Sequence, residues 1–190
     1  MARPDGRDDT ALARSAAAGD RDALEALLER HLDRVHAICR RILGHPEDAR
    51  DAAQEALISV ARSIGRSDGR AAFTTWLYRV ATNAALDEAR RRARRPVPSE
   101  SARDAPARDP GPDSVVDRLD LDAALGTIPI EFRTAVVLRD LCDLDYAQIG
   151  EVLDIPPGTV RSRIARGRAA LAVELPGNRA AAVDRPTEQS

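Results

Sequence analysis

The residues best equipped for chemistry lie between Phe73 and Arg95, where Phe73, Thr74, Thr75, Trp76, Tyr78 and Asn83 precede Arg90, Arg91, Arg92, Arg94 and Arg95. Flat rings stack on unpaired bases, amide and hydroxyl tips hydrogen-bond to base edges, and guanidiniums neutralise phosphates. The combination suits nucleic acid, and opened or single-stranded DNA in particular. Trp76, Asn83, Arg90, Arg91, Arg92, Arg94 and Arg95 are therefore candidate DNA contacts. Phe73 fits an ordinary core position better.

A second set falls between Gly158 and Ala170, where Thr159, Arg161, Ser162, Arg163 and Arg166 occur with no acid nearby. Arginine pairs bidentately with guanine, and hydroxyls hold phosphates or bases. A third set is acidic. Asp48, Asp51 and Glu55 stand at i, i+3 and i+7, which places them along one face of a helix. Such a stripe reads either as a solvated surface or as a dock for a basic partner.

Other chemistries find no support. No nucleophile and base are spaced for catalysis, and no phosphate-cradling glycine loop or dinucleotide turn is present, so neither an enzyme nor a bound cofactor is expected. Cys39 and Cys142 are isolated, and His31, His36 and His45 share no ligand spacing, which argues against a metal. Two lone thiols fit a reducing cytoplasm. No stretch is apolar enough to serve as a signal peptide or to enter a membrane.

Bulk charge conceals the pattern. The 190 residues carry a formal net charge of -2, and all 29 basic residues are arginine, which most simply reflects a GC-rich coding bias. Yet residues 66–95 hold eight arginines against Asp68, Asp87 and Glu88, while residues 96–125 hold seven acids against Arg103, Arg108 and Arg118. Two basic patches are thus separated by an acidic segment.

Apolar residues at helical spacing define the elements that must position these groups. Leu24, Leu27, Leu28, Val35, Ile38, Cys39 and Ile42 predict a helix from Arg21 to Leu43, stopped by Gly44. Pro46 at a first helical position opens the next, which runs to about Ser63. A loop over Gly65–Ala72 leads to Thr74, a plausible N-cap for the Trp76 helix, whose inward stripe reads Leu77, Val80, Ala81 and Ala84.

Five prolines between Pro96 and Pro112 forbid a helix there. Periodicity resumes near Val115, and Pro129 opens a helix carrying Phe132, Val136, Val137 and Leu141. Asp145 to Arg168 then has the spacing of a helix-turn-helix, with its second helix presenting the Thr159–Arg166 set to a major groove. The expected fold is all-α: two small helical domains joined by a Pro-rich acidic linker, the second containing a helix-turn-helix. The boundaries are 1–19 for a flexible N-terminus, 20–95 for the first domain, 96–114 for the linker, 115–175 for the second domain and 176–190 for a flexible tail.

Three segments, HPEDARDAAQEAL (45–57), FTTWLYRVATNAALDEARRR (73–92) and DYAQIGEVLDIPPGTVRSRIARGRAAL (145–171), resemble the extracytoplasmic-function (ECF) sigma factors of bacteria. With the helices between them, the likeness covers about 150 of the 190 residues in the family's order. The resemblance implies a sigma factor that binds core RNA polymerase at the β′ clamp helices and β flap and directs transcription initiation. It implies that Asp48, Asp51, Gln54 and Glu55 face the clamp. The Gly65–Phe73 loop and Asn83 would receive an extruded −10 base, with Arg90–Arg95 near phosphates. Arg161, Ser162 and Arg166 would meet the −35 element, and an anti-sigma factor would mask these surfaces.

Two departures stand out. Asp154 occupies a turn position where the family often has glycine, and Ala165 offers no bulky contact. A free-standing helix-turn-helix regulator is the competing class, distinguished by tight promoter binding without polymerase.

Promoter elements about one and a half to two helical turns apart, roughly 50–70 Å, require two separated basic modules. A nineteen-residue linker reaches about 63–68 Å fully extended but averages only about 24 Å as a coil. It must therefore be held stretched, for example by its acids lying in a basic channel, or else it is a solvated tether.

Overall fold

The computed structural model describes residues 8–66, 72–94 and 121–174. Among these residues every regular element is helical. The chain runs α1 (Asp9–Ala17), α2 (Arg21–Leu43), α3 (Pro46–Ser63), a single 3-10 turn (Ile64–Arg66) and α4 (Phe73–Arg94). After the linker come α5 (121–127), α6 (Ile130–Asp140), α7 (Tyr146–Leu153) and α8 (Pro157–Glu174). The linker 96–114, Arg95 and the tail 176–190 lie outside the described residues.

Short polar residues start and stop these helices. The Asp8 carboxylate accepts from the Ala11 amide at 2.7 Å, and that of Asp20 accepts from Ala23 at 3.0 Å. Each satisfies an orphan donor of a helix start. Gly44, at φ 74°, closes α2 through a bond from its amide to the Arg40 carbonyl. Pro46 opens α3, where its missing donor costs nothing.

The first domain is built from α2, α3 and α4, which pack mutually. Val35, Ile38, Cys39, Ile42, Ala49, Ala52, Ala56, Val60, Leu77 and Ala81 are fully buried between them. Small residues on α3 let its backbone approach the larger side chains of α2.

The N-terminus differs from expectation. Residues 9–17, read as part of a flexible segment, form α1 and dock on α2. Leu12 is fully buried, beside Ala16, Ala23, Leu27 and Ile64. Burying one leucine contributes roughly 1.5–3 kcal/mol, which a nine-residue helix needs because it is marginal alone. Asp9 adds a polar tie: its carboxylate meets Arg30 Nη1 and His31 Nε2, both at 2.7 Å.

The second domain holds α5 to α8. The α7–α8 pair is the helix-turn-helix. Asp145 and Gln148 form a capping box, with the Gln148 amide donating to Asp145 and the Asp145 amide to Gln148, both at 2.8 Å. Asp154 ends α7 in the left-handed region, at φ 53° and ψ 50°. It thereby takes the conformation that glycine would supply. The chain then folds back so tightly that a Cβ on Gly150 would stand 2.8 Å from the Ile155 carbonyl oxygen. Gly167 serves α8 likewise: a Cβ there would meet Val136 at 2.6 Å and the Phe132 carbonyl oxygen at 3.0 Å.

The two domains pack on one another, α6 against α2 and α7 against α4. Arginines fasten the junction. Arg133 is buried, and its Nη1 donates across to the Ile42 carbonyl at 2.9 Å while Nη2 and Nε hold the Gly126 and Ile128 carbonyls. Arg34 donates to Leu141 O, and Arg79 to Glu151 O. Arg40 and Arg41 both approach Asp122 at 3.6 Å.

This packing decides which face of α4 is buried. Thr75, Leu77, Tyr78, Ala81, Thr82, Ala85 and Glu88 are buried, whereas Val80 and Ala84 are only partly covered. The inward stripe is therefore rotated from the expected one, and Tyr78, read as a ring available to bases, lies in the core. The helix also begins one residue before Thr74. The Trp76 amide bonds to the Ala72 carbonyl at 3.2 Å, so Thr74 sits inside the first turn.

Candidate nucleic-acid and polymerase interfaces

On α3, the register that buries Ala49, Ala52, Ala53 and Ala56 turns Asp51, Gln54 and Glu55 outward, and all three are exposed. Together they give this side of α3 two exposed carboxylates and an amide, available to a basic partner. Asp48 does not join them. Its side chain retains only 13% of its exposure, between Arg92 Nη1 at 2.8 Å and His45 Nδ1 at 3.7 Å. The stripe inferred from spacing alone, Asp48, Asp51 and Glu55, is thus two side chains on the surface and one in a tie between α3 and α4.

On α4, Asn83 is exposed, and Trp76 is half-buried. Trp76 and Phe73 are in tilted contact, ring centroids 5.8 Å apart, and Phe73 in turn lies 5.5 Å from His31. Trp76 packs, partly buried, against both the main core and the small cluster of Leu12, Ala16, Ala23, Leu27 and Ile64 that α1 completes. Part of its setting is therefore α1, an element expected from sequence to belong to a flexible N-terminus.

Arg90, Arg91, Arg92 and Arg94 are exposed at the end of α4. Each is already engaged: Arg90 with Asp87 at 2.7 Å, Arg91 with Glu88 at 2.7 Å, Arg92 with Asp48, and Arg94 with the Arg90 carbonyl at 3.2 Å. The exposed Arg90–Asp87 pair contributes about 0–1 kcal/mol, so a phosphate can replace Asp87 at little cost, whereas Arg91 and Arg92 also compensate the buried Glu88 and the largely covered Asp48. The cations also complement the negative end of the helix dipole.

On α8, burial of Val160, Ile164 and Gly167 turns Arg161, Ser162 and Arg166 outward. Thr159 and Arg163 are half-buried. The Ser162 hydroxyl donates to the Thr159 carbonyl at 2.9 Å. Arg163 points elsewhere than its neighbours: it shares with Arg90 the wall of a 490 Å³ groove between the domains, floored by Leu86, Ile130 and Leu153. The structure thus brings one arginine from each basic patch into a common space.

Sequence reasoning missed several side chains that shape these faces. Tyr146 and Phe132 lie under arginines of α8, with Arg161 Cζ 6.0 Å from the Tyr146 centroid and Arg166 Cζ 5.7 Å from that of Phe132. Arg168 is bound to Asp140, whose hydrogen bond and charge raise its pKa further. No group of three or more His, Cys, Asp or Glu is arranged for a metal among the described residues. Nor is any described helix long and apolar enough to cross a membrane.

Residues 27–95 match Sigma-70 region 2, and residues 118–171 match Sigma-70 region 4. The chain is 43% identical over 165 residues to the ECF RNA polymerase sigma factor SigE of Mycolicibacterium smegmatis, covering 82% of this chain and 63% of that relative. It is 34% identical over 174 residues to the ECF RNA polymerase sigma factor SigW of Bacillus subtilis, covering 83% of this chain and 91% of the relative. Among solved structures, CnrH in complex with the cytosolic domain of CnrY superposes with a TM-score of 0.68 at 23% identity, covering 90% of this chain and 98% of that one. The sigma factor RpoE bound to the anti-sigma factor NepR from Bartonella quintana gives 0.69 at 22% identity, covering 83% and 96%.

Proposed function

Because the chain belongs to the ECF RNA polymerase sigma factors, we propose that it binds core RNA polymerase and selects promoters without catalysing any step itself. The observation that carries this reading is the pairing of two exposed surfaces on linked helical modules. One is the acidic face of Asp51, Gln54 and Glu55, beside the arginine-rich end of α4. The other is the outward row Arg161, Ser162 and Arg166 on α8. The first module engages the polymerase clamp and the −10 element, and the second reads the −35 element. Trp76 and Asn83 meet the opened strand, and Arg90–Arg95 meet phosphates. Such work places the protein in the cytoplasm.

The packed arrangement of the two domains belongs to the polymerase-free state. Promoter elements one and a half to two helical turns apart cannot both be reached while α6 lies on α2 and α7 on α4. Polymerase binding therefore separates the modules, and the energy of the two new interfaces offsets the loss of the arginine–carbonyl contacts. An anti-sigma protein holds the chain inactive, as the complexes of its structural neighbours suggest.

The test is to mix the purified chain with core polymerase and genomic DNA and to sequence the transcript starts. A set of new starts sharing two upstream elements is expected. Starts unchanged from core enzyme alone would overturn the reading, as would tight promoter binding without polymerase.

A further inference from the structure

Resting on the reading of α8 as the DNA-contacting helix, we propose that Tyr146 and Phe132 are positioning residues that hold Arg161 and Arg166 ready for promoter DNA. Neither ring is needed as a direct DNA contact. Each acts through the guanidinium that rests on it.

The geometry differs from that of the arginines on α4. There, Arg90, Arg91 and Arg92 are held by carboxylates. A carboxylate occupies guanidinium N–H donors, which must be released before a phosphate or guanine can bind. An aromatic ring attracts the cation through the ring face and uses none of the five donors. Arg161 over Tyr146 and Arg166 over Phe132 are thus restrained while their hydrogen-bonding forks stay free. Arginine loses much rotamer freedom when it is immobilised, so a side chain restrained beforehand loses less on binding.

The rings are themselves anchored. Tyr146 is the first residue of α7, directly after the Asp145 capping box. A second guanidinium, that of Arg139, lies 5.6 Å from the same ring centroid. Arg139 Nη1 in turn donates to the Leu144 carbonyl at 2.7 Å, which fixes the ring's neighbour to the backbone. Phe132 belongs to α6, and its carbonyl oxygen would stand 3.0 Å from a Cβ on Gly167 of α8. Arg161 and Arg166 are five residues apart on α8, so they take their supports from different helices. The two supports fix the spacing of the guanidiniums as well as their direction.

The experiment uses holoenzyme assembled from the full chain and core polymerase, with a duplex pool randomised upstream of a fixed transcribed segment. Affinity and the selected upstream sequence are measured for Tyr146→Phe, Tyr146→Leu, Arg161→Ala and the double variant Tyr146→Leu/Arg161→Ala. Thermal unfolding and core affinity serve as controls. Tyr146→Leu is expected to weaken DNA binding roughly two- to fivefold, while Tyr146→Phe, which keeps the ring face, stays near the unaltered protein. In the Arg161→Ala background, Tyr146→Leu should have no further effect.

The proposal is overturned if Tyr146→Phe loses as much as Tyr146→Leu, since the hydroxyl would then be the contact. It is also overturned if the leucine weakens binding equally with and without Arg161. If instead Arg161→Ala and Arg166→Ala both leave affinity and selected sequence unchanged, it is the assignment of α8 that fails. Phe132→Leu with Arg166→Ala repeats the cycle at the second ring, so poor folding of one variant does not remove the test.

Discussion

The guanidinium of Arg92 lies 2.8 Å from the carboxylate of Asp48, joining the end of α4 to the first turn of α3. One member of the acidic stripe is thereby turned into a structural tie, and one arginine of the basic run is partly neutralised by the neighbouring helix. The same contact sets the first turn of α3 beside the arginine-rich end of α4.

Replacing Asp51 and Glu55 by arginine should therefore weaken core polymerase binding about tenfold and leave the unfolding midpoint nearly unchanged. Asp48→Asn should do the reverse, lowering stability by about 1 kcal/mol through the lost tie while core affinity changes less. Calorimetry alongside polymerase titration separates the two. Equal effects of all three substitutions on polymerase binding would show that Asp48 acts at the interface too.

Arg133 is the buried fastening between domains. Its guanidinium satisfies carbonyls of Ile42, Gly126 and Ile128, and burial lowers its pKa without removing its charge. Arg133→Met leaves those acceptors without a donor and should cost about 2–4 kcal/mol in urea denaturation. Arg34→Gln releases only the Leu141 carbonyl at an exposed site and should cost under about 1 kcal/mol. Small-angle scattering should show the domains moving apart more readily in the first variant than in the second.

Docking of α1 should be acid-sensitive. Burial raises the Asp9 pKa, but the hydrogen bonds and charges of Arg30 and His31 outweigh it and leave the group below its ordinary value of 3.8. A depressed carboxylate pKa stabilises the folded state above the unfolded value, and that contribution disappears as pH falls through the folded one. Trp76 lies against the α1 cluster, so its emission should shift below about pH 4. Asp9→Asn should remove the acid-dependent step and show weakened docking at neutral pH.

Cys39 and Cys142 should resist thiol reagents in the folded protein. Burial pushes both thiols up to about 12. At pH 8 that leaves roughly one thiolate in ten thousand, far below an exposed cysteine. A colorimetric disulfide reagent should titrate two thiols in denaturant and almost none without it. Fast labelling of Cys142 alone would reveal opening at the end of α6, next to the domain junction.

Gly167→Ala should loosen the helix-turn-helix domain. Its Cβ would collide with Val136 and the Phe132 backbone, forcing α6 and α8 apart at a cost of about 1–3 kcal/mol. Thermal unfolding measures the loss, and DNA binding should decline with it because Arg166 and its ring belong to these two helices.

Much of this architecture is written locally. Apolar period and punctuation place α2 between Asp20 and Gly44, start α3 at Pro46, and bracket α7 with Asp145 and Asp154, because each signal acts within a turn of the residue that carries it. The outward direction of Arg161, Ser162 and Arg166 follows from Val160 and Ile164 by the same 3.6-residue geometry.

What tertiary structure alone decided concerns partners distant in the chain. Tyr78 and Glu88 are buried in a helix that α2, α3 and α7 all contact, and no period within α4 records those separate coverings. α1 exists as an ordered element because Leu12 finds Leu27 and Ile64. Arg133 meets the Ile42 carbonyl 91 residues away, and Arg92 meets Asp48 across 44. Charge and spacing state that such groups can pair, but only the packed chain determines which of them stand within a hydrogen bond of one another.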